Sequence, residues 1–98
     1  MTLARSARAR TGAPEAAAIR DDIGRTYVAA SVELPSLRLS AVQAVVAAAV
    51  SSGSDRLDAV AVVGVVDHLS ADDRSVLDDV SVTTVLLVDV EGSTRPGG

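Results

Sequence analysis

Two runs of this chain, "LDAVAVVG" at 57–64 and "VTTVLLVDV" at 82–90, are apolar at successive positions rather than at alternate ones. A strand with one wet face alternates, so near-continuous β-branched runs mark strands buried on both faces of a sheet flanked by helices. Between them, "SADDRSVLDD" at 70–79 opens with Ser70 and Asp73 at capping-box spacing and carries further acids where the helix dipole favours them. Upstream, "SAVQAVVAAAV" at 40–50 opens in the same way with Ser40 and Gln43, and Gly53 in "SSGS" can take the left-handed cap. That helix is apolar on nearly every side and so must be covered on nearly every side.

The N-terminal half supplies the remaining elements. "LARSARAR" at 3–10 suits a short helix with apolar and basic faces, and Gly12 to Pro14 ends it. Residues 15–20 and 25–32 read as two strands around the Asp- and Gly-containing turn "RDDIG", that is, an antiparallel hairpin. "ELPSLRL" at 33–39 reads as a connection, because Pro35 biases its predecessor away from helix. The order helix, hairpin, helix, strand, helix, strand predicts an α/β domain. It is a three-layer α/β/α arrangement whose mixed sheet joins an N-terminal antiparallel hairpin to a parallel βαβαβ half, with right-handed crossovers placing helices on both faces. One domain over 1–98 is expected, with 1–2 and 91–98 as frayed tails.

Composition narrows the chemistry. The chain has no cysteine, so it offers no disulfide, thiolate nucleophile or Cys-ligated metal, and its one histidine, His68, leaves no His cluster. His68 with Asp67, Asp72 and Asp73 sits in one loop and helix start, where caps account for the acids. Ser51, Ser52 and Ser54 have no base nearby in sequence, and the arginines at 5, 8 and 10 read as solvation of a surface helix. A net charge of −4 argues against nucleic acid or an anionic membrane as partner. No run approaches the ~18 apolar residues of a membrane span, and the N-terminus lacks a secretion signal's apolar core, so a cytoplasmic protein is expected. With Tyr27 its single aromatic residue, the core is built from small aliphatic side chains, and such a chain gains from association.

At residues 24–64, "GRTYVAASVELPSLRLSAVQAVVAAAVSSGSDRLDAVAVVG", the chain resembles the small, homotetrameric cytidine deaminases. "LARSARAR" is similar to their N-terminal helix, "AAAIRDDIG" to their first strand and turn, and "RSVLDD" to the helix after their paired-cysteine motif. The resemblance implies their fold, and an activity in which zinc bound by three cysteines lowers the pKa of water from 15.7 to about 7 while a glutamate moves protons.

The residues that resemblance requires are replaced. The C-A-E segment falls on Ala41, Val42 and Gln43, and the two cysteines of P-C-x-x-C fall on Ser70 and Asp73. A methyl group binds no metal and an amide moves no proton, and the proton-transfer group alone is typically worth 10²–10⁴ in rate. The family's N-x-E sugar-binding segment falls on Ser31, Val32 and Glu33, keeping the glutamate but not the asparagine. The expectation is therefore a degenerate member of the family with no cofactor, persisting as a structural or interaction module and as a homo-oligomer, dimer or tetramer. The alternatives are a nucleoside- or nucleotide-binding module without turnover, using Glu33 and Ser31, and a deaminase working through non-standard groups.

Overall fold

The computed structural model describes residues 14–54, 56–64, 68–89 and 94–97. Its first strand, β1 (Glu15–Asp21), lies in the interior of the sheet, and Ala16 to Ile19 and Asp21 are all buried. On one side β1 pairs antiparallel with β2 (Thr26–Ala30), and on the other, again antiparallel, with β5 (Leu57–Gly64). The sheet continues through β6 (Thr84–Val88), parallel to β5, to β7 (Thr94–Pro96), antiparallel to β6, in the order β2-β1-β5-β6-β7. Strands β3 (Val32–Leu34) and β4 (Leu37–Leu39) form a separate two-stranded sheet. Two helices, α1 (Ala41–Ser51) and α2 (Ala71–Asp79), complete the described elements.

The α/β class and mixed sheet agree with the sequence, and four details of the strands differ. The parallel half is interrupted: β2, β5 and β6 run one way, but β1 is inserted between β2 and β5, so among the described residues the one parallel ladder is β5 with β6. A strand of Ala and Ile buried on both faces belongs at the centre of a sheet, not at its margin. Residues 25–32 are not one strand, because the chain leaves the main sheet after Ala30 and Ser31 N–H donates to the Glu15 carbonyl at 3.0 Å. Residues 33–39 are a tight hairpin rather than a plain connection: Leu34 pairs with Leu37, leaving Pro35 and Ser36 as its turn, where proline's missing N–H is not needed. The expected tail at 91–98 contains β7, and Gly97 N–H donates to the Val85 carbonyl at 2.9 Å.

One face of the sheet carries Ala17, Ile19, Val60, Val62 and Leu87, packed under Val42, Val45, Val46 and Ala49 of α1 and Leu77 of α2. The two helices touch each other and share this face. Ala16, Ala18, Val63 and Val88 form a second cluster on the opposite face, as the period of two along each strand demands. The crossovers therefore place both described helices on one face rather than on both as expected, because the two connections cross the sheet in the same direction with the same hand; the helix expected at 3–10 lies outside the described residues.

Helix α1 starts and stops as its sequence dictates. Ser40 is the N-cap, with both arms of the capping box present, and Gly53, at φ +101°, turns the chain out of the helix. Ala47 and Val50 on its outer side are exposed.

Candidate functional site

A cavity of about 370 Å³ opens where the start of α1 meets β1 and the β3–β4 hairpin, and Glu15, Ser31, Glu33, Arg38, Ser40 and Gln43 supply its polar lining. Each is placed by a local rule. Ser31 occupies the break between β2 and β3, and its hydroxyl donates to the Glu15 carbonyl at 3.3 Å. Glu33 and Arg38 are cross-strand partners in the hairpin. Ser40 and Gln43 are held by the capping box: Gln43 N–H donates to Ser40 Oγ at 3.1 Å, and Ser40 N–H to Gln43 Oε1 at 2.9 Å.

The N–H groups of Ser40, Ala41 and Gln43 at the start of α1 all have partners. Ala41 N–H donates to Glu15 Oε1 at 3.0 Å, so a carboxylate from β1 satisfies a helix-terminal donor and meets the positive end of the helix dipole. Ser40 Oγ–H donates to Asp73 Oδ1 at 2.6 Å and so ties α1 to the first turn of α2. Asp73 is 9% exposed, and a charge-assisted hydrogen bond is what makes such burial tolerable.

The second helix start differs from the sequence reading. Ser70 Oγ accepts Asp73 N–H at 3.1 Å, as a cap should, but the reciprocal arm is missing because the Asp73 carboxylate is turned toward Ser40. Aspartate is one methylene shorter than the glutamate or glutamine that closes the reciprocal bond.

The structure thus brings the sequence candidates into two adjoining groups. Ser31, Glu33 and Gln43 line the cavity, while Ala41, Ser70 and Asp73 lie at the facing helix starts, linked through Ser40. Glu15 and Arg38 were missed by sequence reasoning. Arg38 had a signal, its place opposite Glu33 across Pro35 and Ser36, whereas Glu15 reaches Ala41 only through the fold, 26 residues away. Among the described residues no three His, Cys, Asp or Glu side chains gather closely enough to hold a metal ion.

A second polar cluster lies apart from the cavity. Asp21, 1% exposed, accepts from Ile23 N–H (3.1 Å), Arg25 N–H (2.7 Å), Arg25 Nε–H (2.7 Å) and Ser54 Oγ–H (2.8 Å). Ser54 also meets Tyr27 Oη at 2.9 Å. Burial of the Asp21 carboxylate pushes its pKa up, but the bonds from Ser54 and Arg25 and the two backbone N–H groups outweigh it and bring the pKa down to about 2. With its hydroxyl shared between Asp21 and Tyr27 in the interior, Ser54 belongs to the packing of the β1–β2 turn.

The sheet order and the helix starts at one cavity can be compared with known proteins. A crystal structure of cytidine deaminase from Burkholderia pseudomallei superposes with a TM-score of 0.80 at 23% identity, covering 97% of this chain and 88% of that one. Cytidine deaminases from Mycobacterium leprae (20% identity, TM-score 0.67, 97% of this chain and 87% of that one) and Mycobacterium tuberculosis (27%, 0.64, 97% and 86%) share the arrangement. No curated protein matches the chain in sequence. The family model described as "Cytidine deaminase-like" matches residues 1–92. A match over nearly the whole length, on a sheet and helix pair of the same order, makes this chain a member of the cytidine deaminase-like family.

Proposed function

We propose that this chain is a cytidine deaminase-like protein without the zinc site and without deaminase turnover, acting as a structural or interaction module. The observation that carries this reading is the state of the two helix starts. Gln43, at the position the resemblance gives to the proton-transferring glutamate, is a neutral amide held in a capping box, and the Asp73 carboxylate is bonded to Ser40. Ala41 presents a methyl group and Ser70 a capping hydroxyl. This donor set does not fit a tetrahedral zinc ion held by three thiolates, and a chain with no cysteine cannot supply one. The test is metal analysis of the purified full chain beside a cytidine-to-uridine assay. Zinc well below one per chain and no uridine above the protein-free control are expected. Stoichiometric zinc with turnover overturns the reading in favour of a deaminase with non-standard groups.

Homo-oligomerisation belongs to this reading. Ala47 and Val50 on the outside of α1, Leu34 and Leu37 on the hairpin, and Ile23 at the β1–β2 turn are exposed aliphatic side chains on a small domain, and a second copy of the chain would cover apolar surface that water now meets. Sedimentation at micromolar concentration is expected to show a dimer or tetramer, and a monomer alone rules this part out.

The cavity favours a second reading, a pocket that binds a nucleoside without turnover. Its volume is that of a small-ligand site, and Ser31 and Glu33, at the positions the resemblance gives to ribose contacts, both line it.

A further inference from the structure

We infer that the cavity beside α1 is shaped for a nucleoside monophosphate, with Arg38 taking the phosphate and Glu33 the sugar hydroxyls; the inference rests on the nucleoside-pocket reading. Glu33 and Arg38 lie directly opposite each other on β3 and β4, on the same face of the hairpin. Opposite charges at such positions ordinarily pair across the strands. Here they make no ion pair with each other, although both line the cavity. A carboxylate acceptor and a guanidinium donor therefore stand side by side on one wall, each with its binding capacity left for a ligand.

Three backbone donors at the start of α1 are already occupied, which directs an anion toward the hairpin wall. A helix start is ordinarily a place for phosphate, but at α1 the N–H groups of Ser40, Ala41 and Gln43 already donate to Gln43, Glu15 and Ser40. The Ser40 hydroxyl proton goes to Asp73. One Glu15 carboxylate oxygen is bound to the helix start, where the dipole offsets its charge. Arg38 is the only cation among the described lining residues, and its planar fork matches two phosphate oxygens. Glu33 accepts hydrogen bonds only, so it suits a donor-bearing neutral group, such as a pair of sugar hydroxyls, and repels the phosphate toward Arg38. A ligand with a hydroxylated ring and one anionic end satisfies both side chains, whereas a plain nucleoside leaves the guanidinium unused.

Calorimetric titration of the purified full chain with cytidine, cytidine 5′-monophosphate and inorganic phosphate tests this. The monophosphate is expected to bind about tenfold more tightly than cytidine, the worth of one exposed charge-assisted contact. Arg38→Gln, an exposed substitution outside the core, should erase that preference, and 0.5 M salt should narrow it. Equal binding of cytidine and its monophosphate overturns the inference while the nucleoside pocket stands. Inorganic phosphate binding as tightly as the monophosphate, with the same Arg38 dependence, overturns it by reducing Arg38 to a bare anion contact. Failure of both cytidine and its monophosphate to bind overturns the inference together with the pocket reading.

Discussion

Asp21→Ala is expected to lower the thermal unfolding midpoint by about 10 °C or more, a large shift for a chain of this size. Four donors converge on the Asp21 carboxylate, and alanine leaves the turn N–H groups of Ile23 and Arg25 without their acceptor and the buried Ser54 hydroxyl without one of its partners. Asparagine is no rescue. Its carbonyl can still serve the two backbone donors, but its NH₂ then faces Arg25 Nε–H, donor against donor, and the Ser54 hydroxyl has to turn from donor to acceptor. The pH dependence follows from the same bonds. The folded pKa is about 2, below that of an unfolded aspartate, about 4. The unfolded state therefore takes up this proton first as pH falls, so the carboxylate's contribution is whole above about pH 4 and is lost as pH falls toward about 2. Midpoints measured by circular dichroism between pH 7 and pH 2 should decline across that window in the parent, and Asp21→Asn should remove that part of the decline. An unchanged acid limb in Asp21→Asn would exclude this carboxylate as the acid-sensitive element.

Gly64→Ala is expected to cost about 2–4 kcal/mol, combining backbone strain with a close contact. Gly64 has φ +151°, and a Cβ there would stand 2.6 Å from the Pro14 carbonyl oxygen and 2.8 Å from Glu15 Cβ. Neither neighbour is the far end of a flexible side chain, and Gly64 is the ladder partner of Glu15, so relief requires moving the start of β1. Glu15 would then withdraw the carboxylate that holds Ala41 N–H and lines the cavity. Gly24→Ala is the control. Its φ is +91°, but an added Cβ meets nothing within 4 Å, so it reports the backbone term alone, ~1 kcal/mol. Urea unfolding of both variants separates strain from contact, and a Gly64→Ala loss no larger than that of Gly24→Ala would mean the strands are not packed this closely.

The two predictions differ in how far they could be read in advance. "RDDIG" announces a turn, and an aspartate that bonds the N–H two residues on is what such a turn uses. Nothing local announces Ser54, which lies 33 residues from Asp21 and comes to it only because α1 ends beside the β1–β2 turn. The same division runs through the candidate site. The capping box of Ser40 and Gln43 is a matter of four consecutive residues, and both of its bonds are present. The second box was legible only in part, because the Asp73 carboxylate had a better partner across the fold than Ser70 N–H beside it. Pro35 led the hairpin at 32–39 to be read as a connection, although Leu34 and Leu37 pair across it.

What the sequence determined by itself was local and periodic: the two capped helices, the buried strand at 57–64, the left-handed Gly53, and the absence of thiols. These depend on backbone sterics, on hydrogen bonds within one turn and on the spacing of apolar residues, all of which act over a few positions. The tertiary structure alone decided that β1 lies between β2 and β5, that Glu15 closes the start of α1, that Ser40 joins α1 to α2, and that Glu33 and Arg38 share one cavity wall. Those pairings join residues far apart in the chain or choose one of several acceptors for a donor. Such a choice is made by whichever arrangement leaves no buried polar side chain without a partner, as is so among the described residues, and that is settled by the whole fold.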